Sequence, residues 1–270
     1  MTSYISPPRR DSRITTNKKM EVTTTLVKGG GDNDVSTFHS MFYGRDFFIK
    51  VACNRFGVDK LAREAHVAST ISCMPELSAL FCSFWTADDG SLITMGVPGE
   101  CVYRLSDTVK RSETFRKELK RVLDVFDRHD FAHGDLHGNN VFYDAGACRI
   151  WVIDVGQSQF RSDPGTWYST WLEYAPKEFT RSIGCKHAFF RALDIVVSWY
   201  AVAVGLSEDD DDDDTEGVFQ RLEDLVEKNY GIVVRFDPSI AKFHEKIVSA
   251  VVRSITWPET TGSKRRRGSR

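Results

Sequence analysis

The sequence has no run of about 18 apolar residues and no apolar stretch of signal-peptide length near its start, so neither a membrane span nor secretion is expected. A soluble, intracellular protein is the reading that remains. Paired cysteines are also missing. Cys53, Cys73, Cys82, Cys101, Cys148 and Cys185 stand singly, with no Cys-x-x-Cys and no histidines at zinc-finger spacing, so disulfides and structural zinc are not expected. Nor does one sign of charge dominate. Thirty-six Lys and Arg against 38 Asp and Glu leave a formal net charge of -2, too little positive charge to displace counterions along a nucleic acid. Direct nucleic-acid binding is therefore not expected, and any basic function is local.

What is present is enough apolar material for a large core. With 270 residues and 41% apolar content, the chain has room for one large domain or two lobes sharing a cleft. Residues 1–24 are rich in Ser, Thr, Pro and basic side chains without a helical apolar stripe, the composition of a disordered arm. A Gly-rich turn at Lys28-Gly29-Gly30-Gly31 then leads to β-prone runs at Ser40–Tyr43 and Asp46–Ala52 and a helical stretch at Val58–Ile71. Leu80–Thr86 and Leu92–Val97, joined by Ala87-Asp88-Asp89-Gly90, read as a hairpin. Residues 25–97 thus form a small antiparallel sheet carrying one helix.

The pattern changes after Pro98-Gly99. Phe115, Leu119, Val122, Leu123 and Phe126 recur at spacings of three and four within Ser112–His129, the signature of an amphipathic helix. Short strands are expected at Val141–Tyr143 and Arg149–Ile153, and helices at Ala188–Val204 and Val218–Asn229. Residues 98–258 read as mainly helical. Within them Glu208 precedes six aspartates, Asp209–Asp214, which repel one another and form a solvated loop or a docking patch for a basic partner. Residues 259–270 are a basic, disordered tail in which Lys264-Arg265-Arg266-Arg267 is a short nuclear-import-like cluster.

The chemistry is concentrated in His133-Gly134-Asp135-Leu136-His137-Gly138-Asn139-Asn140, followed by Ile153-Asp154-Val155-Gly156. Phosphoryl transfer needs oxygen ligands for Mg2+ and a carboxylate to orient the attacking hydroxyl, because its catalysis is mostly positioning and charge neutralisation. Asp135, Asn140 and Asp154 supply such a set.

These segments resemble the H-x-D-x-x-x-x-N and D-x-G motifs of the protein-kinase-like superfamily. The resemblance implies an α+β, bilobal fold, with a small sheet lobe that binds ATP and a larger helical lobe. It implies that Asp135 is the catalytic base or substrate-orienting carboxylate, that Asn140 and Asp154 are Mg2+ ligands, and that His133 supports the loop. Lys50 in Phe47-Phe48-Ile49-Lys50 and Glu64 in Leu61-Ala62-Arg63-Glu64 match the family's nucleotide-spanning lysine–glutamate pair. Gly29 and Gly31 would belong to its phosphate loop. Leu92 to Glu100 resembles its hinge, with Thr94 as gatekeeper, Met95 and Val97 as adenine contacts and Glu100 at the ribose. Tyr174-Ala175-Pro176-Lys177 resembles the end of an activation segment, and Asp194 would open the large lobe's central helix. The compact size and divergent loops are also similar to kinases of large DNA viruses.

The departures are specific. Gly29-Gly30-Gly31-Asp32-Asn33-Asp34 lacks the third glycine and adds carboxylates. Phe48 stands where a small alanine faces adenine. Gly134 replaces the arginine that would bind an activation-segment phosphate, so dependence on such phosphorylation is not expected. His137 replaces a lysine, and His-Gly-Asp-Leu-His is similar to aminoglycoside, choline and fructosamine kinases. The resemblance implies an ATP- and Mg2+-dependent Ser/Thr protein kinase acting on protein substrates. A small-molecule kinase and a partner-binding pseudokinase remain alternatives, and the oligomeric state is not readable.

Overall fold

The structure is a computed structural model, and the residues it describes are 24–27, 34–163 and 183–203. The Gly-rich turn, the Tyr174-Ala175-Pro176 segment, the expected helix at Val218–Asn229, the aspartate run, residues 1–23 of the N-terminal arm and the C-terminal tail lie outside the described residues, while Thr24, the last residue of that arm, begins a strand.

The chain begins with β1 (Thr24–Leu26), β2 (Val35–Phe42) and β3 (Arg45–Ala52), continues through α1 (Arg55–Ser72) and α2 (Pro75–Ser78), and returns in β4 (Phe84–Thr86) and β5 (Leu92–Met95). These strands make one antiparallel sheet in the order β1-β2-β3-β5-β4. The β2–β3 hairpin turns on Tyr43 and Gly44, at φ 51° and 71°. Two consecutive positive φ values give a turn whose twist matches the flanking strands. That turn sets the register from Phe42 opposite Arg45 to Val35 opposite Ala52.

Helix α1 starts at Asn54, whose side chain accepts from the Gly57 amide at 3.0 Å, a standard way of satisfying an orphan donor. Asp34 anchors this end of the helix. Its carboxylate accepts from Asn54 Nδ2 and from Lys60 Nζ, both at 2.7 Å. A Cβ on Gly57 would lie 2.0 Å from the Asp34 carbonyl oxygen, so a larger residue there would separate helix from sheet. Leu61, Glu64, Val67, Ala68 and Ile71 form the buried stripe of α1.

Beyond the sheet come β6 (Glu100–Cys101), a 3-10 turn at Val102–Arg104, α3 (Asp107–Arg111) and α4 (Glu113–Arg128). Then follow β7 (Phe131–Ala132), β8 (Val141–Asp144), β9 (Arg149–Val152), a 3-10 turn at Val155–Gln157, β10 (Gln159–Phe160) and α5 (Ile183–Ala203). β6, β8 and β9 form a second antiparallel sheet, and β7 pairs with β10. The core joins the apolar face of α4 to Phe81, Phe131, Phe160 and the buried length of α5. Phe126 is fully buried and meets the rings of Phe81, Phe131 and His133 at 6.2, 4.9 and 6.4 Å.

Three expectations need adjustment. The first long strand begins at Val35, five residues before Ser40, because pairing with β3 recruits a polar stretch that carries no apolar alternation. Leu80–Ser83 does not join the hairpin; Phe81 turns into the core and bridges Val152 instead. Helix α5 starts at Ile183 rather than Ala188, so Asp194 lies in its interior and does not open it.

Phe126 carries the packing beneath the 133–140 loop, so Phe126→Ala should destabilise the protein by about 3–5 kcal/mol. Urea unfolding followed by circular dichroism measures this as a lower midpoint with an unchanged slope.

Candidate active site

Lys50 sits near the end of β3, Glu64 in the third turn of α1 and Asp154 just past β9. The structure brings all three together. Lys50 Nζ donates to Glu64 Oε1 at 2.7 Å and to Asp154 Oδ1 at 2.8 Å. Burial disfavours the ammonium ion, but the charges of Asp154 and Glu64 outweigh it and hold the lysine above its usual pKa. Burial is also the largest influence on the two carboxylates, and their outcomes diverge. Glu64, 5% exposed, is held above the normal range. At Asp154 the charge and hydrogen bond of Lys50, with the Gly156 amide, overcome burial and keep the acid below the normal range. Two carboxylates around one ammonium leave a residual negative charge.

Asp154 has φ 63° and ψ 81°, a left-handed conformation that is uncommon outside glycine and is met most often at Asn and Asp. It turns the carboxylate back toward Lys50. Gly156 makes this possible, since a Cβ there would lie 3.3 Å from Asp154 Oδ1 and 3.4 Å from Glu64 Oε2.

The 133–140 loop lies beside this cluster. Asn140 Nδ2 donates to the Asp135 carbonyl at 2.9 Å and lies 3.4 Å from Asp135 Oδ2. The Ile153 amide donates to the Asn140 carbonyl at 3.0 Å, which ties the loop to the residue preceding Asp154. Among the described residues no donor reaches Asn140 Oδ1 or the second Asp154 oxygen. An unclaimed amide oxygen and a carboxylate oxygen, next to surplus negative charge, are the hard donors Mg2+ takes, commonly with only one or two protein ligands. His137 shares the same corner: Nδ1 accepts from the Asn139 amide at 3.2 Å, and Nε2 lies 3.3 Å from Asn140 Nδ2 and 3.6 Å from Asp135 Oδ2.

Underneath, Asp194 of α5 holds the loop by its backbone. Its carboxylate accepts from the His133 amide at 2.7 Å and the Gly134 amide at 2.8 Å, and burial pushes its pKa up to about 7. Arg191, one turn earlier and fully buried, approaches Asp194 at 3.7 Å and donates to the Leu123 carbonyl at 3.0 Å. Neither role was foreseeable from the helix pattern: the sequence reading places Asp194 only at the start of the helix and gives Arg191 no role. Gly134 has φ 77°, and a Cβ there would lie 2.6 Å from the Gln157 carbonyl oxygen. The backbone itself therefore leaves no room for an arginine at this position.

The segment expected to contact a base is partly turned away. Met95 lies opposite Phe47 on the face of β5 remote from Lys50, with Sδ 3.8 Å from Arg45 Nη1 and its amide bound to the Ser83 carbonyl at 3.2 Å. Gly96 is pinned to the Asp46 carbonyl at 2.7 Å. Val97 follows, and nothing among the described residues accepts from its amide. Glu100 is exposed in β6, opposite Tyr143. Gly29 and Gly31 lie outside the described residues.

His133 is fully buried and stacks near Phe81 and Phe126, with Nε2 donating to the Ile153 carbonyl at 3.0 Å. Burial depresses its pKa from 6.5 to about 4. The unfolded chain therefore binds more protons between those values, and stability present above pH 6.5 is lost as pH falls through about 4. That contribution is on the order of 3 kcal/mol. His133→Phe should flatten the fall in melting temperature between pH 6.5 and 4, whatever its effect on absolute stability, as read by thermal melts across that range.

No protein-family model matches the chain, and no curated protein matches it. Among solved structures it is similar to the Cydia pomonella granulovirus kinase PK-1, at 17% sequence identity and a TM-score of 0.42, over 76% of this chain and 78% of that one.

Proposed function

We propose that this chain is an ATP- and Mg2+-dependent phosphotransferase of protein-kinase-like, bilobal organisation, whose cleft lies between the β1–β5 sheet and the 133–140 loop. The observation that carries the reading is the Lys50–Glu64–Asp154 cluster beside Asp135 and Asn140. The five residues come from four separate stretches of chain, and a structural ion pair has no need of the adjoining Asp–Asn loop.

Lys50, held in place by Glu64, offers an ammonium to the donor's phosphate oxygens. Asn140 and Asp154 would hold Mg2+, which when bound supplies positive charge to those oxygens. Asp135 accepts the hydrogen bond of the acceptor hydroxyl and orients its oxygen toward the phosphorus, with Asn140 fixing the loop carbonyl behind it. The free Val97 amide and the Met95 carbonyl face a base, and Glu100 a ribose. In this reading residues 25–97 are the ATP-binding part and residues 98–258 the catalytic part.

The acceptor we favour is a protein Ser or Thr hydroxyl, because about twenty residues separate Asp154 from Tyr174-Ala175-Pro176, room for a peptide-binding segment. A small-molecule acceptor is the second reading, favoured by the His-Gly-Asp-Leu-His sequence and by the placing of His137 against Asp135. An inactive, partner-binding role is disfavoured by the assembled Lys50 cluster.

Purified protein with Mg2+-ATP should phosphorylate generic protein substrates or itself, read by mass spectrometry, and Asp135→Ala should lower turnover by roughly a thousandfold or more while retaining nucleotide binding. Transfer unchanged in that variant would remove Asp135 from the chemistry. Because no arginine occupies position 134, protein lacking phosphate on residues 155–177 should already be active; activity that appears only after phosphorylation there would contradict this.

A further inference from the structure

The two faces of the β1–β5 sheet differ in what covers them. Lys50 and Glu64 meet on one, so α1 lies on that side, and Leu92, opposite Lys50, is 1% exposed there. Strand alternation puts Phe47 and Ile49 of β3 on the other face. The register adds Phe38 and Phe42 of β2, Ile93 and Met95 of β5, Trp85 of β4 and Leu26 of β1. None of these side chains is buried, and none joins the described core. Leu26 and Trp85 are 56% and 46% exposed. The rings of Phe42 and Trp85 lie 6.4 and 6.2 Å from that of Phe47, so the apolar groups are contiguous. Among the described strand residues of this face only Arg45 is charged.

Five strands about 4.8 Å apart and three side-chain rows roughly 6.6 Å apart make a patch on the order of 500 Å2. A contiguous apolar surface of that size marks a place where something binds. A second copy of the chain fits it poorly, because a standard interface takes about 800 Å2 from each partner, more than the patch offers. A tethered segment needs less, since its effective concentration is on the order of millimolar. Residues 1–23 are such a segment. They lie outside the described residues and join the sheet at its edge, where Thr24 stands opposite Ser40 and Leu26 opposite Phe38. At about 3.3 Å per extended residue, their length exceeds by far a patch roughly 20 Å across. Their last apolar residues, Met20 and Val22, alternate in step with Thr24 and Leu26, the spacing that keeps side chains on one face.

We propose that residues 1–23 fold back across the face of the sheet remote from Lys50, with Val22 extending β1 opposite Phe42 and Met20 crossing toward Phe47 and Trp85. The strap covers apolar surface that is otherwise open to other chains. The inference is independent of the phosphotransferase reading, since no group of the Lys50 cluster takes part in it.

Photocrosslinking in the full chain tests it, with p-benzoylphenylalanine in place of Phe47 or Trp85. Irradiation should give monomer-sized adducts that mass spectrometry maps to residues 1–23, whereas the same probe in place of Phe48, on the Lys50 face, should give none there. Met20→Ser combined with Val22→Ser should cut the adduct yield at least about fivefold and raise the fluorescence of an added apolar-surface dye, with the circular dichroism spectrum unchanged. Dimer-sized adducts would make a second copy the occupant, and adducts to residues 204–270 would make it a later part of the chain; either overturns the proposal. So does the absence of adducts from both positions, an equal yield from position 48, or a yield that the double variant leaves unchanged.

Discussion

The ammonium of Lys50 is the point on which the rest of the arrangement turns. A largely buried cation is costly to desolvate, and the cost is met here only because Glu64 and Asp154 both reach it. Those carboxylates come from α1 and from the turn after β9, so one ammonium ties the five-stranded sheet, its helix and the second sheet to a common geometry. The left-handed backbone at Asp154 and the missing side chain at Gly156 serve the same contact. Stability and site therefore share residues, and the local negative charge left over is available to a cation.

A second anchor operates from below. The Asp194 carboxylate takes two consecutive backbone amides of the 133–140 loop, and burial of His133 against Phe81 and Phe126 seals the ring side. The loop is thus held through its backbone and through an uncharged ring, while Asp135, His137 and Asn140 contact one another within it. Gly134 follows from this anchoring. Its positive φ aims the amide at Asp194 and brings the Gln157 carbonyl close enough to exclude a side chain.

Much of this placement was readable in advance where the candidate residues are close in sequence. Asp135, Asn140 and Asp154 lie within twenty residues of one another, and a short loop flanked by strand-forming runs has few ways to arrange them. Lys50 and Glu64 were readable through residue type and order. The periodic apolar residues of α4 were likewise plain, because a single buried face imposes its spacing on the sequence. Asp194 was misplaced because α5 is apolar nearly all round, so no amphipathic edge marks its start. Arg191 was missed for the same reason: its buried guanidinium depends on Leu123 and Phe126, more than sixty residues earlier.

The extent of β2 was hidden because Val35 to His39 alternates no apolar face, and its turn, Tyr43-Gly44, is not one of the common Asn-Gly or Asp-Gly pairs. Without that turn the register is open, and without the register His39 has no reason to stand beside Phe48. The sequence by itself determined where polar, chemistry-capable residues cluster and which helices have a core face, since both depend on neighbours along the chain. Only the tertiary structure decided what else meets what: Lys50 with Asp154 as well as Glu64, Asp194 with two amides, His39 with Phe48 and Asp46. Each of these contacts joins strands or helices whose separation along the chain leaves no local pattern, and each becomes specific only when burial or strand register fixes a single partner.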